Sequence, residues 1–175
     1  MIKNISNLGD AAVYCDFGSE VNEIVNSNVT DYFNHLTDLV KQEKIKGINN
    51  LTPSYNKLIV SFDLTIITYS KLKKIIENLN IEKQIRKNNK KIKIPVCCDE
   101  EYGLDLKKLS NKFNLSKNEI LNFFFGKEYF CYMTGFIAGM PFLGDLDKKI
   151  RIKRLKTPRV KVPKGSVGIT EQFAN

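Results

Sequence analysis

The residues best suited to chemistry gather late in the chain. Arg154 and Arg159 stand five positions apart in a stretch rich in lysine, glycine and proline. A guanidinium holds a carboxylate through two parallel hydrogen bonds, so two of them beside a glycine-rich floor suit a small organic acid. The floor would come from residues 135–144 (GFIAGMPFLG) and 157–169 (TPRVKVPKGSVGI), where glycines alternate with large apolar side chains. Gly139, Gly144 and Gly165 allow turns closed to other residues, Ser166 adds a hydroxyl, and Phe136 and Phe142 could wall a pocket. Glycines on either side of Ser166 would also let backbone N–H groups approach an anion. A plainer reading stays open for each. The same glycines and prolines suit short strands cut by turns, Gly165-Ser166 suits a tight turn, and both arginines suit the rim of an exposed strand.

Nothing in the sequence supports catalysis by the chain alone. It holds no phosphate-binding loop, dinucleotide fingerprint or nucleophile elbow, and its single histidine, His35, lies in a helical stretch between Asn34 and Leu36. No catalytic residue and no metal ligand is assigned. Cys15 and Cys131 sit singly in apolar runs, and Cys97 and Cys98 are adjacent, so all four are expected to be buried thiols. The net charge of +9 raises a nucleic-acid reading. Two clusters, 86–93 and 148–164, carry much of it, but lysine is spread through the whole chain, so no nucleic-acid partner is expected and the first cluster is read as a solvated linker or helix end. The N-terminus lacks a signal-peptide apolar run and charges interrupt every hydrophobic stretch, which predicts a cytoplasmic protein without membrane spans.

The elements that must position these residues follow from hydrophobic period. Residues 8–16 read as a strand. Val21, Ile24, Val25, Val29, Phe33, Leu36, Leu39 and Val40 line one helical face, with Ser19 as the expected N-cap. Strands follow at 47–51 and 57–62, then a helix opened by Thr68 or Ser70 and carrying Leu72, Ile75, Ile76 and Leu79. The alternation of lysine and isoleucine over 91–97 predicts one more strand. The order β-α-β-β-α-β is ferredoxin-like and would fill residues 1–90, with the last strand at the junction. From residue 99 two short helices are expected, the second opened by a capping box of Ser116 and Glu119. An aromatic strand over 128–133 and further short strands then give residues 91–175 the look of a β-barrel, with 150–155 as a half-exposed strand. The fold class read from the chain is therefore α+β.

The segments Ile94-Pro95-Val96-Cys97, Tyr102-Gly103-Leu104-Asp105-Leu106, Gly135-Phe136, Phe142-Leu143-Gly144, Thr157-Pro158-Arg159 and 162–169 occur in the order found in one family. They resemble the 5-oxoprolinase B subunit, also called allophanate hydrolase subunit 1 or the Kip-type inhibitor of a histidine kinase. Gly9-Asp10-Ala11-Ala12 and residues 53–58 are similar to the N-terminal domain of the same family. The resemblance implies a small α/β domain followed by a cyclophilin-like β-barrel. It implies one subunit of an ATP-dependent complex that opens 5-oxoproline to glutamate, or of an allophanate-hydrolase-like complex. The partners would be a subunit of related barrel fold and a third hydrolase subunit, with ATP belonging to the assembled complex and the chain inactive in isolation. The alternative implied is a regulatory protein that inhibits a sensor histidine kinase.

Three departures accompany the resemblance. Phe124 stands where the family commonly has a histidine, and a phenyl ring shuttles no proton. Ala138, Met140 and Phe142 occupy the proline, second phenylalanine and tyrosine positions of the family's floor motif. The chain also stops short of the stretches that complete the family's barrel. Its C-terminal strands are therefore expected to be missing, leaving open edges for a partner to cover.

Overall fold

Alternation decides the first sheet. A computed structural model describes residues 1–81 and 90–175, and the chain divides into two compact units, Met1–Lys87 and Asn88–Asn175. In the first unit β2 (Ala12–Asp16) and β4 (Lys57–Phe62) bury every second side chain, so Val13, Cys15, Leu58, Val60 and Phe62 form one face. β1 (Asn4–Asn7) and β3 (Ile48–Pro53) flank them, giving an antiparallel sheet of order β1-β2-β4-β3.

Two helices belong to this unit, and its core joins the sheet face to their apolar residues. α1 (Glu23–Lys41) buries Val29 and Leu36, and α2 (Tyr69–Glu77) buries Leu72 and Ile76. Thr68 caps α2 by accepting from the Lys71 amide at 3.3 Å. For α1 the cap is Asn22, not Ser19: Asn22 Oδ1 accepts from the Val25 amide at 2.9 Å. The reason lies in the preceding loop. Asn56 Nδ2 donates to the carbonyls of Gly18 and Glu20 at 2.8 and 3.1 Å, which holds 18–20 in a turn and delays the helix. Lys57 Nζ adds an ion pair to Asp16 at 2.6 Å, and this hydrogen bond first, with the Gly18 amide second, holds the Asp16 carboxyl below the usual range.

The expected strand over 91–97 does not form; Ile92 and Ile94 are exposed in an irregular stretch. A ferredoxin-like sheet needs a strand at the edge beside β2, and the N-terminal strand β1 already holds that edge, pairing Ile5 with Cys15. The cysteine expectation changes with it. Cys15 is buried, but Cys97 and Cys131 are exposed and Cys98 is half-buried. Cys97 lacks the strand that would have covered it, and Cys131 points outward from an edge strand. Of the basic cluster at 86–93, residues 86–89 lie outside the described residues.

Burial pushes the Cys15 thiol up to about 12. A group raised in the folded state contributes stability that is whole below its unfolded value and is lost as pH rises toward the folded one. Stability should therefore fall between about pH 9 and about pH 12. Urea midpoints measured across that window should fall less steeply for Cys15→Ala than for the unaltered chain. Equal slopes would remove Cys15 as the cause.

The second unit pairs a short helical pair with an open sheet. α3 (Leu106–Phe113) ends on Asn114 in the left-handed region, and α4 (Lys117–Phe125) starts with the Ser116–Glu119 capping box. Hydrogen bonds from the Ser116 hydroxyl and amide hold the Glu119 carboxyl below the usual range. Leu115 and Ile120, one on either side of that cap, join Leu106, Leu109, Phe113, Leu146 and Ile150 in the core.

β5 (Phe130–Thr134), β6 (Pro141–Gly144), β7 (Ile169–Thr170) and β8 (Phe173–Ala174) make an antiparallel sheet of order β5-β6-β8-β7. It does not close into a barrel among the described residues. β7 and β8 are two residues each, and 151–168 carries no strand, the expected one at 150–155 included. Pro158 and Pro163 remove backbone donors there, and seven basic residues with no acidic one favour solvent. Among the described residues no helix is long and apolar enough to cross a membrane.

Candidate functional site

Register places the two glycine-rich turns at one end of the second sheet. The β5–β6 hairpin pairs Thr134 with Pro141, so its turn, residues 135–140, lies at that end. β8 runs antiparallel to β6, with Leu143 facing Ala174, and β7 runs antiparallel to β8, with Ile169 facing Ala174. The start of β7 therefore lies at the same end as Pro141, and residues 165–168 lead into it. Gly168 and Asn175 extend the β7–β8 ladder by exchanging amide and carbonyl at 3.1 and 2.9 Å. The two glycine turns, 135–140 and 165–168, separated by 24 intervening residues, are thus brought to one end of the sheet.

The local geometry of these turns is largely self-satisfied. In the hairpin Gly135 N–H donates to Met140 and Met140 N–H to Ile137, at 3.0 and 3.2 Å. Ser166 donates both its amide and its hydroxyl to the Pro163 carbonyl, at 3.2 and 2.7 Å, and so closes its own turn. Gly139 and Gly165 have φ of +79° and +80°, the left-handed region that favours glycine, and a Cβ at either would meet nothing within 4 Å. They face open space. Gly144 differs: it is buried in β6, and a Cβ there would lie 2.7 Å from the Tyr132 ring. Its glycine is required by packing.

The aromatic residues also separate. Phe142 is half-buried in β6 opposite Met133. Phe136 projects from the hairpin tip, 90% exposed and at φ +67°, a conformation that costs a bulky residue about 1–2 kcal/mol. Since Phe136 buries almost nothing, Phe136→Gly should leave stability unchanged or raise it by up to about 1 kcal/mol. A urea midpoint that fell in this variant would show that the ring packs in solution.

The arginines occupy different settings. Arg154 is exposed and makes no hydrogen bond or ion pair among the described residues. It follows Ile152 by two positions, and the Ile152 carbonyl takes the Glu171 amide at the β7–β8 turn, the end of the sheet opposite Gly165. Arg159 is held. Its Nη2 donates to both carboxylate oxygens of Asp105, each at 2.5 Å, with side chains 33% and 41% exposed. Asp105 is the residue at the N-terminus of α3, and Lys108 Nζ lies 4.0 Å from it.

Asp105 is the residue that sequence reasoning did not assign to the site. The acids closer to the basic segment do other work: Asp145 accepts from Tyr132 and Gln172 at 3.2 and 2.8 Å, and Asp147 accepts from the Lys149 amide. A partner 54 positions away leaves no spacing signal. Phe124 is packed, its ring 5.5 Å from that of Tyr129, whose hydroxyl donates to the Phe124 carbonyl.

Elsewhere the molecule offers less. A groove between α1 and β3, lined by Phe33, Thr37, Val40, Lys41, Ile48 and Leu51, presents one cation and no acid–base pair. Among the described residues no three histidine, cysteine or acidic side chains come together to hold a metal ion.

Two antiparallel sheets with their helices define a mixed α/β protein, with glycine turns gathered at one end of its second sheet. The family model described as "Carboxyltransferase domain, subdomain C and D" matches residues 3–175. The chain belongs to this family, the one that includes the 5-oxoprolinase B subunit. It is 31% identical to the 5-oxoprolinase B subunit of Bacillus subtilis (strain 168) over 177 residues, 94% of this chain and 72% of the relative. It is 33% identical to the 5-oxoprolinase B subunit of Haemophilus influenzae over 128 residues, 73% of this chain and 56% of that relative. The crystal structure of the Kluyveromyces lactis urea carboxylase superposes with a TM-score of 0.71 at 16% identity, covering 97% of this chain and 17% of that one, a likeness of fold.

Proposed function

We propose that the chain is one subunit of a 5-oxoprolinase-type complex, contributes part of a small-acid site, and turns nothing over alone. The observation that carries this reading is the match along nearly the whole chain to proteins named as the B subunit of 5-oxoprolinase. Two features of the fold support the site. Arg159 spends Nη2 on Asp105, and Nε and Nη1, which have no partner among the described residues, can each give a single hydrogen bond to an acid. The glycine turns at one end of the sheet lie open rather than roofed, as half a pocket awaiting another polypeptide would. In this reading Arg154, Phe136 and Phe142 meet the substrate or the partner only in the complex. The partners are a subunit of related barrel fold and a third hydrolase subunit.

The finer architecture belongs to the same proposal. The first sheet keeps the ferredoxin-like strand order, with β1 standing in for the closing strand, and the second sheet is one wall of a cyclophilin-like barrel. ATP fits this chain poorly. The turn amides of Gly135, Met140 and Ser166 are spent within their own turns and are not offered to a phosphate. The nucleotide is therefore assigned to the assembled complex.

The test is reconstitution. The purified chain should neither hydrolyse ATP nor open 5-oxoproline, and activity should appear when the partner subunits are added. Turnover by the isolated chain would overturn the subunit reading. One observation favours a second reading, inhibition of a sensor histidine kinase: Phe124 is packed against Tyr129 where the resemblance implies a proton-carrying histidine. Capture from native cells separates the two, since a kinase would be recovered in place of metabolic subunits.

A further inference from the structure

We propose that the groove between α1 and the edge strand β3 receives a short, extended, acidic segment of another polypeptide, which adds a strand to the first sheet. The inference is independent of the small-acid site. β3 pairs with β4 alone, so its far side is a free edge among the described residues. The ladder itself fixes which groups point there. Ser54 N–H donates to the Lys57 carbonyl at 2.8 Å, which makes that couple a hydrogen-bonded pair. Antiparallel pairs alternate, so Thr52–Ile59 and Asn50–Ser61 are hydrogen-bonded pairs and Leu51–Val60 is not. The amide and carbonyl of Leu51 and the carbonyl of Pro53 therefore face away from β4, where a further strand can pair with them.

The side chains continue the argument. Leu51 shares its face with Val60, the face whose core takes in α1, and a side chain opposite Leu51 on an added strand falls on that same face. There it meets the groove, about 350 Å³, walled by Phe33, Val40, Ile48 and Leu51. The Thr37 hydroxyl on the same wall is spent within its helix, donating to the Phe33 carbonyl at 2.7 Å. A bound strand of this kind takes affinity from the backbone ladder and specificity from pockets for alternate side chains. Length and charge then choose the occupant. The register shift at Asn49 ends the regular ladder on one side, and Pro53, which has no N–H, ends it on the other, so a short run can pair. Lys41 is the charged residue of the wall, exposed and with no acid beside it in the lining. A two-fold contact with a second copy uses one patch twice and would set two such cationic grooves edge to edge. A segment with apolar residues at alternate positions and a carboxylate at its end answers both the wall and the ammonium.

The test is a titration of a fluorescein-labelled peptide, Asp-Thr-Val-Thr-Val-Thr-Asp, into the purified full chain. Alternation puts both valines and both aspartates on one face, so an acid reaches Lys41 whichever way the strand runs. The peptide should bind saturably, and at about ten times Kd it should slow hydrogen exchange of the Leu51 amide about tenfold. Lys41→Glu should weaken binding up to about tenfold, the loss of one exposed attraction and the gain of a repulsion. Its melting temperature should not change, because the side chain is exposed. A peptide with lysine in place of both aspartates should reverse the preference and bind the Lys41→Glu variant more tightly than the unaltered chain. No binding up to about 1 mM, or binding that leaves the Leu51 amide unprotected, overturns the proposal. NMR shifts gathered at Cys131 in β5, an edge of the second sheet, overturn it as well. A chain that sediments as a dimer, with the Leu51 amide already protected before peptide is added, gives the edge to a second copy and overturns the acidic-segment proposal.

Discussion

Leu36→Ala should cost the N-terminal unit about 2–5 kcal/mol, the range for deleting a fully buried leucine side chain that its surroundings cannot collapse to replace. Leu36 is 0% exposed and sits on the face of α1 that joins the core with Val29, Val60, Phe62 and Ile76. Neither wall of the resulting cavity can move freely. α1 is pinned at its start by the Asn22 cap and again by Asn26, whose Nδ2 donates to the carbonyls of Ser54 and Tyr55 at 3.3 and 3.0 Å. On the sheet side β4 is paired along its length with both β2 and β3. A small domain holds a total of about 5–15 kcal/mol, so the loss is a large fraction of it. The check is urea unfolding followed by α1 and sheet signals. A shift under about 1 kcal/mol would mean that Leu36 does not pack α1 onto this sheet.

The first unit was the more legible half. Its strands alternate cleanly and its helices carry apolar residues at steps of three and four, so 57–62 and the helix opened by Thr68 could be read directly. What misled there was also periodicity. Lysine and isoleucine alternate over 91–97 as in a strand, but a strand needs a free edge, and β1 had already taken the edge beside β2. Competition between segments for one edge is invisible to a local pattern. The second unit yielded its capping box, since Ser116 and Glu119 are neighbours in sequence and their chemistry is local.

Its candidate site came through in part. That residues 135–140 and 165–168 share an end of the sheet depends on pairings through β8, which no spacing encodes. Arg159 could be singled out by type, whereas Asp105 could not, because the pair is a long-range contact between a helix start and an irregular loop. The glycines were equal in sequence and are unequal in space, and that difference sets the other large expected effect.

Gly144→Ala should destabilise the C-terminal unit by about 1–3 kcal/mol, the usual cost of forcing an atom into a filled core. Its Cβ would lie 2.7 Å from Tyr132 Cε2 and 3.3 Å from Phe173 Cδ1. The tyrosine ring cannot swing aside cheaply. It is 5% exposed, stands edge-on to Phe130 and Phe173 at 4.9 and 5.7 Å, and donates its hydroxyl to Asp145. Asp145 also accepts from Gln172, so a shift of the ring would be passed to the β7–β8 turn. By contrast, alanine at Gly139 or Gly165 meets no atom within 4 Å and carries only the left-handed backbone penalty, about 1–2 kcal/mol. Guanidinium or thermal unfolding of the three variants distinguishes a packing glycine from turn glycines. Measured against Tyr132→Leu alone, Gly144→Ala should cost less than it does in the unaltered chain, because the ring the methyl meets is gone, whereas the cost of Gly139→Ala should be the same in both backgrounds. Equal costs at all three positions, with no coupling between Gly144 and Tyr132, would place Gly144 on the open floor with the other two glycines.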